Sequence, residues 1–265
     1  MVNRPQIQFD FVHADLGYGT HKVLSDINLS IEGGSVTCLI GPNGAGKTTL
    51  FKSILGFLPP ISGKIQLNGK SIARFSSKEL ARYIAYVPQA HSTPFPYKVI
   101  DVVLFGRSAH LGYFNAPGRK DRMIAESNLD LLEIRHLAER SFSELSGGEQ
   151  QLVIIARALT QETSFLIFDE PTSNLDYGNQ IRVIQKIKSL RNQSIGILMA
   201  THSPDHAFML SSQIIILDKG LAQTGNPDQT LTAATLKQTY GVEVQIFETP
   251  NGLSPARKIC VPVIQ

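Results

Sequence analysis

The sequence predicts an α/β fold, in which buried parallel strands alternate with helices. Three mainly apolar runs carry this prediction: Val36–Ile40, Ser164–Phe168 and Ile195–Ala200. None shows a regular alternation with polar residues, and continuous apolar runs are typical of strands that are covered on both faces. Tyr177–Arg191, between the second and third runs, has the spacing of an amphipathic helix. This order of elements is typical of a parallel sheet with helices on its faces.

The chain before Val36 is different, because its apolar residues alternate with polar ones. The alternating positions include Ile7, Phe9, Phe11, Ile27, Leu29 and Ile31. A period of two is typical of antiparallel strands with one buried face. Gly33-Gly34 predicts a turn into the first parallel strand, and Lys64–Gly69 predicts another strand that ends in an Asn-Gly turn. We therefore expect an N-terminal antiparallel β subdomain.

Helical patterns dominate the middle of the chain. Ser76–Glu79 has the spacing of a capping box and predicts a short helix, after which Ile84–Val87 predicts a strand. A short helix is expected at about Val99–Gly106 and a longer one at Asp121–Leu137. This change in composition predicts a helical subdomain that is inserted into the α/β core.

We expect a single domain over residues 1–265. A hairpin is predicted where Ile214–Leu217 is followed by a turn, and Val261–Ile264 predicts a late edge strand. The predicted parts are a core with its β subdomain at about 1–89 and 160–230, a helical subdomain at about 90–159, and a short C-terminal extension at about 231–265.

The bulk properties exclude several classes of protein. A chain of 265 residues can bury a sizeable core, and 42% apolar and 18% charged residues are typical of a globular protein. The net charge of only +3 and the lack of a basic stripe argue against nucleic acid as a partner. Cys38 and Cys260 have neither a disulfide nor a metal spacing, which favours a reducing cytoplasm. No apolar run approaches the length of a membrane span, so we expect a partner to provide any membrane connection.

One glycine-rich string predicts a phosphate site. Residues Gly41–Thr49 read GPNGAGKTT, the P-loop pattern G-x-x-x-x-G-K-S/T, between a predicted strand and a predicted helix. Glycines let successive backbone N–H groups turn toward an anion, and the helix dipole adds positive potential there. The residues expected to bind the nucleotide in this loop are Gly41, Pro42, Asn43, Gly44, Ala45, Gly46, Lys47, Thr48 and Thr49.

Two further strings carry candidate chemistry. Asp169 and Glu170 follow a buried strand, where α/β sheets bind ligands, so one carboxylate can hold Mg²⁺ and the other can polarise a water. Leu145–Gln150 reads LSGGEQ and predicts a second helix start, with Ser146 and Glu149 at capping-box spacing. Its glycine pair again leaves N–H groups for an anion, so one chain has two anion-binding helix starts.

In this order GPNGAGKTT, Gln89, LSGGEQ, LIFDEP and His202 closely resemble the ATP-binding cassette (ABC) ATPases, over roughly Phe9–Gly225. We call LSGGEQ the signature, as in that family. The resemblance implies a P-loop NTPase core of the RecA-like type, with ATP and Mg²⁺ as cofactors. It also implies a second copy of the chain, because two cassettes of this family close head to tail and share each ATP.

The resemblance assigns a role to each matching position. Lys47 and the P-loop amides hold the β- and γ-phosphates, Thr48 and Asp169 serve Mg²⁺, and Glu170 is the general base. Gln89 senses Mg²⁺ and couples to the membrane partner. The remaining matches are Tyr18 for stacking on adenine, His202 for the γ-phosphate, and Ser146, Gly147, Gly148 and Asp176 for contacts across the dimer.

Three positions depart from the family pattern. Glu149 stands where glutamine is commonest, Leu152 where arginine is frequent, and Asn174 where a small residue is usual. None of these changes removes a catalytic group, so an active ATPase remains the expectation.

Two features indicate which class of ABC protein the chain resembles: its domain architecture and the segment Thr93–Arg107. A single P-loop, no long coiled coil and a short C-terminal extension favour a type II importer subunit. Thr93–Arg107 resembles cassettes that serve iron-siderophore, haem and cobalamin permeases, with molybdate or tungstate and manganese or zinc as alternatives. The expected partners are two polytopic permease subunits and, indirectly, a substrate-binding protein, at the cytoplasmic side of the inner membrane. A cassette without a permease, acting as a regulatory or assembly module, is the alternative class.

Overall fold

The computed structural model describes residues 7–89, 96–112, 115–190, 195–249 and 258–264. The chain forms two compact units. We call one the signature unit, built from Phe75–Ile195, and the other the P-loop unit, built from Gln6–Arg74 and Gly196–Gln265. No helix in the described ranges has both the length and the apolar character that a membrane crossing requires.

Strands and helices follow one another along the chain in three parts. The first part contains β1 (Gln8–Tyr18), β2 (His21–Glu32), β3 (Val36–Ile40), α1 (Lys47–Ile54), β4 (Ser62–Leu67) and β5 (Lys70–Ser71). The middle contains α2 (Ser77–Tyr83), β6 (Ile84–Val87), α3 (Val99–Leu104), α4 (Arg119–Leu131), α5 (Gly147–Thr160), β7 (Phe165–Asp169) and α6 (Tyr177–Leu190). The last part contains β8 (Gly196–Ala200), α7 (Pro204–Leu210), β9 (Gln213–Asp218), β10 (Leu221–Gly225), α8 (Pro227–Thr230), α9 (Ala233–Tyr240), β11 (Val244–Glu248) and β12 (Lys258–Pro262). Short 3-10 turns lie at Ile72–Arg74, Phe105–Ala109, Arg135–Leu137 and Phe142–Glu144.

The P-loop unit contains an antiparallel sheet built on β1. This strand lies between β2 and β4, with Phe9 opposite Ile31 on one side and Leu67 on the other. All three side chains are buried, whereas the adjacent Gln8 is exposed. The alternation seen in the sequence therefore places one face of the sheet in a core, and the predicted antiparallel β subdomain is confirmed.

The same unit contains a parallel arrangement around β3. This strand lies between β8 and β9 and runs parallel to both, with Cys38 opposite Met199 and Ile214. All five residues of β3 are buried, which explains why its sequence does not alternate. Burial raises the pKa of the Cys38 thiol to about 12, so this cysteine behaves as a small neutral core residue. The predicted α/β class is confirmed.

The signature unit combines a strand pair with a helical part. β6 and β7 are parallel, with Ile84 opposite Phe165. α3, α4 and α5 pack against one another, and Val103, Leu129 and Val153 are buried among the residues of these helices. This part of the chain is mainly helical, as its composition predicts.

A buried arginine ties the helical part together. Arg107, only 5% exposed, donates from Nε to Asp121 Oδ1 at 2.8 Å and from Nη1 to Glu162 Oε2 at 2.7 Å. The same Nη1 also donates to the Thr160 carbonyl at 2.9 Å. The fork of a guanidinium suits this task, because its donors lie in one plane and reach several acceptors at once.

The structure corrects some predicted boundaries. The helix expected at Asp121–Leu137 ends at Leu131, and Glu133 has a φ of 62°, in the left-handed region that ends α-helices. The apolar spacing continues beyond this end because Leu132 and Leu137 are also buried. The late edge strand expected at Val261–Ile264 lies earlier in the chain, at Lys258–Pro262 (β12), and its partner β11 was not predicted. Residues 90–95, at the start of the expected helical subdomain, lie outside the described ranges.

Candidate nucleotide-binding site

The P-loop begins directly after β3 and ends at the start of α1. Gly44 and Gly46 have φ values of 80° and 102°, a conformation that residues with a Cβ rarely adopt. Gly46 is the N-cap of α1, so no side chain caps this helix, and its first turn carries no acidic residue. The N–H groups and positive dipole at this helix start therefore suit a polyphosphate anion.

Close packing holds the P-loop in this shape. A Cβ at Gly41 would lie 2.6 Å from the Leu217 carbonyl oxygen, and a Cβ at Gly46 would lie 2.8 Å from Leu24 Cδ2. Lys47 Nζ donates to the carbonyl oxygens of Gly41 at 2.8 Å and Pro42 at 3.2 Å. The loop thus folds around its own lysine, whose buried charge adds to the positive potential of the helix start.

Tyr18 lies beside α1 with its ring about half exposed. Lys52 Nζ donates to the Tyr18 hydroxyl at 3.3 Å and lies 5.4 Å from the ring centroid. Hydrogen bonds with the side chains of Thr49 and Lys52 lower the pKa of Tyr18. These contacts fix an exposed aromatic face next to the P-loop helix, which suits stacking on a base.

His202 follows β8 and is exposed. The turn around it is held by the Ser203 N–H, which donates to Thr201 Oγ1 at 3.1 Å, and Ser203 is the N-cap of α7. His202 also lines a cavity of about 290 Å³ together with Cys260 and other residues near the C-terminus. Its neighbour His206 is buried, and burial lowers the pKa of that imidazole.

In the signature unit, three predicted site residues lie at one edge of the strand pair. Asp169 ends β7, Glu170 follows it, and Gln89 comes two residues after β6. Since β6 and β7 are parallel, their carboxyl ends meet at the same edge. The structure therefore brings Gln89, Asp169 and Glu170 to the edge where such sheets bind ligands.

Tyr86 orients Asp169. Its hydroxyl donates to Asp169 Oδ2 at 2.8 Å, and burial together with the charge of Asp169 raises the pKa of Tyr86. The tyrosine therefore stays protonated and keeps one carboxylate oxygen engaged. Sequence reasoning missed this residue, although its place inside β6, the strand paired with β7, is a signal that could have identified it.

Glu170 has a backbone conformation that is unusual for its residue type. Its φ is 51°, and its carbonyl oxygen accepts hydrogen bonds from the Ser173 N–H at 3.0 Å and from Ser173 Oγ at 2.8 Å. Non-glycine residues in the left-handed region carry strain, which is often found at functional sites. Ser173 thus holds the main chain of the predicted general base in place.

The signature starts α5 with a complete capping box. Ser146 Oγ accepts from the Glu149 N–H at 3.4 Å, while Glu149 Oε2 accepts from the Ser146 N–H at 2.8 Å and from Ser146 Oγ at 2.7 Å. These bonds from Ser146 lower the pKa of Glu149, so the carboxylate stays ionised. α5 therefore differs from α1, because its first turn already holds a negative charge.

The loop before α6 places Asp176 at the start of that helix. Asn174 has a φ of 61°, which asparagine tolerates better than most residues, and this explains its presence where a small residue is usual. Asp176 is exposed, and its carboxylate accepts from the N–H and the side-chain amide of Asn179. Leu152, which also departs from the family pattern, is buried in α5.

Comparison with known proteins identifies the class. The family described as ABC transporter matches residues 24–173 of this chain. An ABC transporter ATP-binding protein of Haemophilus influenzae is 47% identical over 88% of this chain and 89% of its own length. The chain therefore belongs to the ABC transporter family. ATP hydrolysis coupled to transport is the activity of its ATP-binding subunits, so the predicted class and activity are confirmed.

Two further relatives are similar over most of the chain. The iron(3+)-hydroxamate import ATP-binding protein FhuC of Bacillus subtilis is 36% identical over 91% of this chain and 90% of its own length. A chain from an inward-facing structure described as a metal-chelate type ABC transporter is 31% identical, with a TM-score of 0.87 over 98% of both chains.

The fit of the P-loop to a nucleotide leads to a test at Gly46. Replacing Gly46 by Ala is expected to weaken ATP binding at least about tenfold, because a left-handed residue with a Cβ costs about 1–2 kcal/mol even before its clash with Leu24. Titration with a fluorescent ATP analogue measures the affinity. Gly69→Ala is the matched control, since Gly69 has a φ of 74° with no atom within 4 Å of the added Cβ and lies outside the P-loop. Equal ATP affinity in the two variants would contradict the proposed fit.

Proposed function

We propose that this chain is the ATP-hydrolysing subunit of an importer for a metal chelate. It works as a pair of copies beneath two membrane permease subunits, as a peripheral protein at the cytoplasmic face. The main observation in favour of nucleotide binding is that α1 follows a glycine-rich loop and that no side chain caps its start. The similarity to an iron(3+)-hydroxamate import protein and to a metal-chelate type transporter supports the cargo class.

In this function the P-loop unit binds the nucleotide. Lys47 and the P-loop amides hold the β- and γ-phosphates, Tyr18 stacks on the adenine, and His202 contacts the γ-phosphate. Thr48, Gln89 and Asp169 would supply oxygen ligands of the kind that Mg²⁺ prefers, and an ion held there would offset the negative charge of the phosphate oxygens. Support for Asp169 as a ligand comes from Tyr86, which holds one of its carboxylate oxygens by a hydrogen bond.

Glu170 takes the proton in the hydrolysis step. The oxygen of a water attacks the γ-phosphorus, the bond from that phosphorus to the β–γ bridging oxygen breaks, and ADP and phosphate are formed. Glu170 polarises the water and accepts its proton. The backbone of Glu170, held by two hydrogen bonds from Ser173, supports this role because it fixes the point from which the carboxylate reaches the water.

The signature acts on the nucleotide of a second copy. Ser146, Gly147 and Gly148 start α5, and Asp176 lies just before α6 in the same unit. In the part of the chain that the structure describes, α1 and α5 both start in glycine-rich strings but only α1 follows a P-loop, and this is explained if each nucleotide is shared by two copies. ATP binding then closes the pair.

An exposed aromatic pair is the proposed contact with the permease. Tyr97 and Phe105 are each about half exposed and pack edge to face, with ring centroids 5.4 Å apart. They belong to the segment Thr93–Arg107 that resembles importer cassettes, of which Thr93–Phe95 lie outside the described residues. Exposed aromatic residues of this kind are frequent anchors in protein interfaces.

The general-base role predicts the behaviour of Glu170→Gln. Turnover of ATP is expected to fall at least about a hundredfold, since general-base catalysis contributes about 10²–10⁴-fold, while ATP affinity is retained. Phosphate release measures turnover, and analogue titration measures affinity. Glu32→Gln, at an exposed strand end, serves as the control. Normal turnover in Glu170→Gln would refute the assignment of the base.

The docking role predicts that Phe105→Ser weakens association with the permease. A loss of at least about tenfold in affinity is expected, because a buried aromatic anchor is worth about 2 kcal/mol or more. Affinity capture with the detergent-solubilised permease measures it, and ATPase activity of the isolated chain should not change. Met123→Ser, an exposed apolar residue on α4, is the control. Equal capture of both variants would remove Phe105 from the interface.

Measuring the uptake of candidate substrates identifies the transported compound. The chain is reconstituted in vesicles with its cognate permease and binding protein, and uptake of ferric hydroxamate, haem and cobalamin is compared with that of molybdate, tungstate, manganese and zinc. ATP-dependent uptake of a chelate and not of the free ions or oxyanions is expected. Uptake of molybdate or manganese alone would overturn the chelate proposal. Failure of the tagged chain to sediment with any polytopic partner would overturn the transporter role.

A further inference from the structure

Asn179 holds both oxygens of the Asp176 carboxylate. Its backbone N–H donates to Oδ1 at 2.9 Å, and its side-chain Nδ2 donates to Oδ2 at 2.6 Å. These two bonds are the main reasons why the pKa of Asp176 is lowered. The position of this carboxylate therefore depends largely on one neighbouring residue.

The same side chain lies directly against the signature. A Cβ added to Gly148 would lie 2.4 Å from Asn179 Cγ, 2.5 Å from Oδ1 and 2.9 Å from Cβ. A Cβ at the adjacent Gly147 would meet only Leu175 Cδ2, at an ordinary 3.5 Å. Gly148 does not have a positive φ, so the close approach of Asn179, and not backbone conformation, accounts for glycine at this position.

Asn179 is anchored at two points, although it and Gly148 also line a cavity of about 740 Å³. Its amide is bonded to Asp176, and its backbone is part of the first turn of α6. A displacement of Gly148 would therefore push on Asn179, and a displacement of Asn179 would alter both bonds to Asp176.

We propose that Asn179 is a positioning residue that couples Asp176 to the signature. It fixes the spacing between Gly148 and Asp176, so that these two elements meet the nucleotide and the second copy together. This inference rests on the proposed function as a head-to-tail pair. An ordinary helix start would need only the bonds between Asp176 and Asn179, whereas the proposal also requires the contact with Gly148.

The test measures closure of the pair separately from nucleotide binding. Glu170→Gln serves as the parent, because it should retain ATP while hydrolysis is slow. Sedimentation over a range of ATP concentrations gives the fraction of dimer, and a fluorescent ATP analogue gives the affinity of the monomer. Thermal unfolding confirms that each variant is folded.

Two substitutions separate the hydrogen bond from the contact. Asn179→Asp keeps the size of the side chain but removes the amide donor and adds a negative charge beside Asp176. Asn179→Ala removes the side-chain donor and the Cγ and Oδ1 atoms nearest to Gly148, while the bond from the backbone N–H to Asp176 remains. Each is expected to raise the ATP concentration for half-maximal dimer about tenfold, with monomer affinity for ATP unchanged. Dimer formation equal to the parent in both variants would overturn the proposal.

A double variant tests the contact itself. Gly148→Ala alone is expected to impair dimer formation strongly, because its Cβ collides with Asn179. In Gly148→Ala combined with Asn179→Ala the collisions with Cγ and Oδ1 are gone and only the 2.9 Å approach to the Cβ of residue 179 remains, so the combined defect should be clearly smaller than the product of the two single defects. Defects that multiply would overturn the coupling while leaving the proposed function intact. If the parent itself fails to form an ATP-dependent dimer, the proposed function fails, and the coupling fails with it.

Discussion

The start of α1 without a side-chain cap is the constraint on which the P-loop unit depends. A helix leaves its first N–H groups without intrahelical acceptors, and most helices satisfy some of them with a serine, threonine or acidic side chain. α1 has Gly46 at this position and no acid in its first turn. Because no side chain of the helix itself caps this start, neighbouring elements must fix its position. The fully buried β3, which has a paired strand on each side, leads directly into the loop before α1 and provides this support. The sheet that holds β3 in place therefore also positions the loop that leads from β3 into α1.

The second glycine-rich helix start has the opposite design. α5 is capped by Ser146 and by the ionised Glu149, so the partial positive charge of its dipole is already partly balanced. An anion would meet a weaker field at α5 than at α1. This difference supports the proposed function, in which the P-loop binds the nucleotide first and the signature of a second copy contacts it afterwards.

Much of the fold and of the candidate site could be predicted from the sequence. Local patterns identified β3, β7, α5 and the P-loop, because periodicity and glycine spacing are encoded within short windows. Tyr86 and Asn179 were missed, since their importance comes from contacts with Asp169 and Gly148, which lie 83 and 31 residues away in the chain. The end of α4 was misplaced because Leu132 and Leu137 keep the helical spacing while the backbone has already turned at Glu133. Periodicity reports burial, and burial can continue after a helix ends.

The contact between Asn179 and Gly148 also has a consequence for how this chain can change over generations. A Cβ at 148 would collide with three atoms of Asn179, so a larger residue at 148 is expected to cost less once residue 179 has lost those atoms, and the order of the two substitutions matters. If residue 179 is first replaced by a shorter one, position 148 can accept side chains that would collide with asparagine at 179. The side chain that packs against position 148, and not the helix backbone, therefore sets which residues this position can hold.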